Sequence, residues 1–353
     1  MLDGLFQFIH KKFFHCIILS YIVAGLFPQC GIWIRGVEFG HFVFFDGSTV
    51  KVSLPLVMLS ALLLNAGLGI NKGEISNLLN YPKILIVGLA ANLVIPIGFT
   101  YLISLSMRFW HNPDEVQNIL VGLALIASMP IAASSTAWAQ KSKGNLALSV
   151  GLVLASTMLS PATTPLGLHA IGFIAHGDYA EDLHEIAQGG TSAFLFISVL
   201  LPTSLGILLH FILSTKAIKA ANKPIKDFNL INLLMLNYAN ASLVLPKVFV
   251  NPDWDFLLVI AVITGGLCIL AFYAGYIIAG QLGSPPPEKY SLMFGLGMNN
   301  NGTGLVLASL SLADHPSIML PIICYNLIQH LVAGYVDHKL TAAGHDDSPK
   351  SQD

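Results

Sequence analysis

The sequence predicts an all-α membrane protein whose ten transmembrane helices form two inverted five-helix repeats. Three observations predict it: an apolar composition, a one-sided distribution of basic residues, and a repeated spacing of spans. Hydrophobic residues make up 54% of the chain and charged residues 10%, where a soluble domain carries roughly a quarter charged. Apolar runs of at least ~18 residues, long enough to cross ~30 Å of hydrocarbon, recur from end to end.

Breaks at Pro, Gly and charge place the spans near 13–28, 53–70, 83–107, 116–140, 145–172, 190–214, 228–249, 254–282, 289–311 and 317–336. With that count, one set of loops holds 13 of the 17 Lys and Arg, and the other holds Arg35, Lys51, Arg108 and Lys247. The positive-inside rule then puts both termini in the cytoplasm, in an inner or plasma membrane. Lys11 to Gln29 begins basic and continues apolar like a signal peptide, but no small-x-small cleavage site follows, so it is read as the first span.

Composition excludes several classes. A formal net charge of −2 offers no basic face, so nucleic acid is not an expected partner; the lipid bilayer is. Cys16, Cys30, Cys268 and Cys324 show no CxxC spacing and are read as packing residues. A membrane-embedded enzyme needs a nucleophile with its base, paired carboxylates or a metal cluster inside the spans. The acidic residues fall in loops or at span ends and no HExxH or GxSxG occurs, so no catalytic residue is assigned. Residues 176–185, HGDYAEDLHE, read as an acidic solvated loop on the outer side.

The third, fourth and fifth spans begin about 172 residues before the eighth, ninth and tenth. Two halves of five spans follow, residues 1–180 and 181–340, with a disordered polar tail at 341–353. Because five is odd, the second half enters the membrane from the opposite side. That is the arrangement secondary transporters use to alternate a central site between two faces.

Matching places in the two halves interrupt an apolar run. The fourth span reads LALIASMPIAASSTAWAQ, with Pro130 ahead of Ser134, Ser135 and Thr136; the ninth reads LMFGLGMNNNGTGLVLA, with Gly295, Gly297, Gly302 and Gly304 around Asn299, Asn300 and Asn301. Proline removes a backbone donor and clustered glycine removes helix support, so both spans are expected to unwind. Freed backbone groups cost several kcal/mol each in a bilayer unless protein, water, ion or solute satisfies them. Pro130 taken alone also fits a plain kink, and small residues also fit close helix packing. Asn301-Gly302-Thr303 matches a glycosylation pattern but lies inside a span, out of reach. Half-helix N-termini at such a break favour an anion. Asn65, Asn237, Asn240 and Ser242 either line the cavity or join helices.

These broken spans, with KGNLALSV followed by STMLSPATTPL, LNAGLGI at 64–70 and GMNNNG, resemble the bile acid/sodium symporter family. The likeness runs through nearly all ten spans. It implies a six-helix core domain with two crossing broken helices, a four-helix panel domain, and an organic anion, bile-acid-like or keto-acid-like, bound between them. Pro130, Ser134, Thr136, Asn300 and Asn301 at the breaks, with Asn65 of the second span, are the expected solute-binding residues. Carried over by position, Ser135, Ser149, Asn299, Asn92 and the carbonyls of Leu296 and Met298 are the expected Na+ ligands. Three ligands depart from the family's pattern: Thr136 stands for Asn, Val153 for Thr, and Gly295 for the Glu that serves both sodium sites. Without that carboxylate one cation fits better than two, and proton coupling through His169 or His330, or uniport, stays open. The rival on the same fold is a membrane sensor or receptor that no longer transports.

Overall fold

The computed structural model describes residues 12–43, 49–70 and 81–346, together with Phe6, Ile9 and Gly73. The chain is a multi-pass integral membrane protein. Five helical segments among the described residues are long and apolar enough to span a bilayer: Pro82–Phe109, Leu146–Gly172, Thr191–Ile212, Trp254–Gln281 and Pro316–Leu340. A sixth is the pair α1 (Phe13–Leu26) and α2 (Gln29–Gly36), bent by 92°. Pro28 sits at that bend, where a ring in place of an N–H cannot continue the α1 ladder.

The remaining elements follow in chain order. They are α3 (Leu54–Leu68), α4 (Pro82–Ser106), α5 (Pro113–Ser128), α6 (Ser134–Lys141), α7 (Leu146–Gly172) and α8 (Asp178–Gly189). A composite span comes next, α9 (Thr191–Leu195), a π turn and α10 (Leu201–Ile212). Then come α11 (Thr215–Ala241), α12 (Leu245–Val250), α13 (Trp254–Gln281), α14 (Pro286–Gly297), α15 (Asn301–Ser311) and α16 (Met319–Asp346). Side chains start many of them: Ser53, Asn112, Asn145 and Asp253 accept N–H groups of the first turns of α3, α5, α7 and α13.

Four sequence expectations need correction. The fold is not purely helical, because β1 (Glu38–Val43) and β2 (Thr49–Ser53) pair antiparallel; a run rich in Phe and Val suits a strand. Residues 176–185 are not an open loop, since α8 buries Leu183 and Ile186 on one face and leaves its acids outward. The seventh span starts at Thr215, thirteen residues before 228, because good helix formers extend it beyond its apolar part. The tenth helix runs on to Asp346, into the stretch read as a tail; residues 347–353 lie outside the described residues.

The helices pack in two sets. In one, α3 lies along α10 and α11, and α11 also packs on α1 and α2. In the other, α13 lies along α14 and α16, while α4, α5 and α7 pack on one another. Each of the broken spans, α5–α6 and α14–α15, belongs to the second set.

Candidate functional site: two breaks that meet

Helix α5 stops at Ser128, and Met129 turns extended at φ −77° and ψ 147°, the conformation the ring of Pro130 imposes on its predecessor. Helix α14 stops at Gly297, with Met298 extended at φ −127° and ψ 105°. The two breaks lie against each other. Ala132 N–H donates to Met298 O at 2.9 Å and Asn300 N–H to Pro130 O at 2.8 Å, which pairs Ile131 with Asn299 as an antiparallel bridge. Each unwound segment therefore satisfies backbone groups that the other sets free, which lowers the cost of a break inside a bilayer. Gly297 is required by the packing of α13 on the end of α14, because a Cβ there would collide with the ring of Phe272.

Side chains complete the crossing. Asn300 Oδ1 accepts Thr303 N–H and starts α15. Gln329 of α16 is the hub: its Oε1 accepts Asn299 N–H at 3.1 Å and Asn301 Nδ2 at 3.0 Å. Its Nε2 donates to Asn326 Oδ1, and Asn326 Nδ2 donates to Tyr21 Oη of α1 in the other helix set. Asn299 Nδ2 donates to Ile126 O, while Ser156 Oγ accepts Ile131 N–H. Sequence reasoning missed Gln329 and Ser156. The signal for Gln329 was there, since Asn326 and Gln329 are two amides at i and i+3 of an otherwise apolar span.

Buried polar atoms without a partner mark what the protein leaves open. Asn92 Oδ1, Ser135 Oγ, Ser149 Oγ and Asn299 Oδ1 are four of them, and each belongs to an expected Na+ ligand. The rest include Ser128 Oγ, Asn301 Oδ1 and Thr303 Oγ1. Such an atom costs about 1–3 kcal/mol if nothing meets it. These four residues ride on α4, α6, α7 and the break after α14, and α14 packs against the other three elements. Amide and hydroxyl oxygens are the donors a hard cation takes. No group of three His, Cys, Asp or Glu able to hold a metal occurs among the described residues. Met298 O already accepts one hydrogen bond and keeps a second lone pair; Leu296 lies in the last turn of α14.

Gly295 sits in apolar surroundings. A Cβ there would lie 3.1 Å from Leu152 and 3.9 Å from Ile131. The other expected residues have mixed fates. Thr136 Oγ1 is committed to Ala133 O, and Ser134 and Asn300 are half-buried beside the bridge. Asn65 donates to Asn229 Oδ1 at 2.7 Å and so joins α3 to α11. His169 is paired with His184 of α8, Nδ1 to Nδ1 at 2.8 Å, and His330 meets the ring of Phe13 on α1.

Known proteins resemble the chain in sequence. The chain is 27% identical to the uncharacterized protein YbaS of Bacillus subtilis over 222 residues, 63% of this chain and 68% of that one. It is 23% identical to the uncharacterized sodium-dependent transporter YocS of the same organism over 317 residues, 88% of this chain and 91% of that one. The profile described as the Sodium Bile acid symporter family matches residues 56–250, more than half of the chain and inclusive of the first break. The chain belongs to the sodium bile acid symporter family.

Proposed function

We propose that the protein is a secondary transporter that carries a small organic anion by alternating access, with a single sodium ion as its coupling partner. In this reading the ten spans form two inverted repeats, and the solute binds between the two helix sets beside the crossing. The observation that carries it is the reciprocal pairing of the two breaks, Ala132 with Met298 and Asn300 with Pro130. A paired, capped and hub-braced break is a maintained feature, and irregular backbone at membrane depth is kept where it lines a site. The N-terminal ends of α6 and α15 open at the crossing, so their dipoles favour a carboxylate there.

The unpartnered oxygens of Asn92, Ser135, Ser149 and Asn299 support the coupling ion, as does the name of the relative YocS. Together they supply a neutral oxygen shell on which a bound cation stays electrostatically compensated by an anionic solute nearby. The first set of helices, α1 to α3 with α10 to α12, then acts as the panel, and the second set acts as the opposing core. Both termini face the cytoplasm.

Uptake of labelled cholate and pyruvate into proteoliposomes, with sodium and with choline, tests the reading. Sodium-stimulated flux that Asn300→Ala abolishes is expected. Saturable binding without flux in the wild type would instead favour a receptor, a reading that the apolar filling around Gly295 supports.

A further inference from the structure

Arg35 lies at the end of α2, half-buried, with no carboxylate among the described residues beside it. The acidic residue nearest in sequence, Glu38, pairs with Lys51 across the hairpin. The guanidinium instead makes two bonds to neutral acceptors on two different helix sets. Nη1 donates to Asn240 Oδ1 of α11 at 3.1 Å, and Nη2 donates to Ser309 O of α15 at 2.8 Å. Both acceptors fall in the last turn of their helices, where the negative end of the macrodipole stands in for a counter-ion.

The two bonds are not equivalent. Helix α2 is locked onto α11: Tyr238 Oη accepts Gly31 N–H and donates to Phe27 O, and a Cβ on Gly31 would collide with Ser242. Arg35 therefore travels with α11, and the bond to Ser309 is the one that any separation of the two sets must break. The charge would then face one helix end in place of two. A second observation shows that the site wants a further partner: Asn240 Nδ2, fully buried and on the amide that already holds Arg35, has no acceptor. A guanidinium with free N–H groups beside an unmet amide donor is a site for a carboxylate.

We propose that Arg35 is an anion-sensing latch at one mouth between the two helix sets. At rest it ties α11 to α15 through Asn240 and Ser309. The carboxylate of an arriving solute takes the guanidinium and Asn240 Nδ2 in place of Ser309 O, because a charge-assisted forked pair is stronger than a bond to a neutral carbonyl. The mouth is then free to open. The proposal deepens the transport reading and rests on it for the identity of the anion, while the latch itself is a statement about structure alone.

Spin labels at Ile32→Cys and Ser311→Cys, in a background without the four native cysteines, report the width of this mouth in nanodiscs. The wild type is expected to show one narrow distance that cholate or pyruvate widens and the methyl ester of cholate does not. Arg35→Gln should raise the wide-to-narrow ratio roughly tenfold or more without any anion, the effect of losing one charge-assisted hydrogen bond, and should no longer respond to cholate. Arg35→Lys keeps the charge without the fork and should fall between the two, which guards against a folding defect in Arg35→Gln. An unchanged distance in Arg35→Gln overturns the latch. A wild-type distance unmoved by anions that the protein binds, as judged by their thermal shift, overturns the sensing. If the widening is seen but no flux occurs in proteoliposomes, the latch stands and the transport reading falls.

Discussion

Leu152 of α7 occupies the space in front of Gly295, its Cδ1 3.1 Å from where a Cβ would stand. The same apolar pocket holds Leu148, Leu292 and Ile131. A carboxylate placed there alone would be buried against hydrocarbon, at a cost of several kcal/mol. Gly295→Glu by itself is therefore expected to lower thermal stability in choline. Combined with Leu152→Ala, which makes room for an ion beside the new charge, it should show a sodium-dependent rise in melting temperature larger than that of the wild type. Melting curves of the two variants in sodium and choline chloride check this, and equal curves in both salts would mean that Gly295 does not stand at the cation site.

Gln329 joins the crossing to α16 and, through Asn326, to Tyr21 on the other helix set. Gln329→Leu strands the buried donors Asn299 N–H and Asn301 Nδ2, each at about 1–3 kcal/mol. Loss of uptake together with a lower melting temperature is expected. Gln329→Glu keeps an acceptor in place and should retain more stability than Gln329→Leu; equal losses would show that the acceptor is not what Gln329 contributes.

The crossing was legible because its causes are local: Pro130 forbids the α5 ladder, and the Gly–Asn run weakens α14 whatever surrounds it. The expected ion ligands came from positional resemblance alone; that Asn92, Ser135, Ser149 and Asn299 each carry an unpartnered oxygen is visible only in the structure. Other features needed the fold. Gln329 and Asn326 mark one face of an apolar span, but what that face serves is undefined until α16 is laid beside the break, and Arg35 reads as a loop cation until α2 turns through 92° and carries it between two helix ends. The hairpin and α8 were hidden for another reason: short elements between apolar spans carry too few residues for their period to stand out from loop composition.

Close backbone approach within the first helix set makes a separate test. A Cβ on Gly206 of α10 would collide with Leu64 O and meet Leu68 N at 2.8 Å, both backbone atoms of α3 that cannot rotate away. Gly206→Ala should destabilise by about 1–3 kcal/mol as an overpacked contact. Gly265→Ala on α13, where the nearest atom stands at 3.8 Å, should be tolerated and serves as the comparison. Chemical denaturation in detergent would rank them, and a ranking with Gly265→Ala as the weaker protein would contradict the packing described for α3 and α10.

The proposed cation site makes the least intuitive forecast. Ser149 is buried and its Oγ has no partner in the protein, so in the absence of sodium the hydroxyl is a liability, and removing it should help. Ser149→Ala is expected to melt higher than the wild type in choline, by an amount corresponding to about 1–3 kcal/mol. In sodium the order should reverse, because binding to the folded state stabilises the wild type by RT ln(1 + [Na+]/Kd) and the variant has lost a ligand. Titrating sodium against the melting temperature of both proteins yields two curves that cross at a finite concentration. If Ser149→Ala and the wild type rise in parallel, Ser149 does not touch the ion; if neither rises, the coupling ion is not sodium.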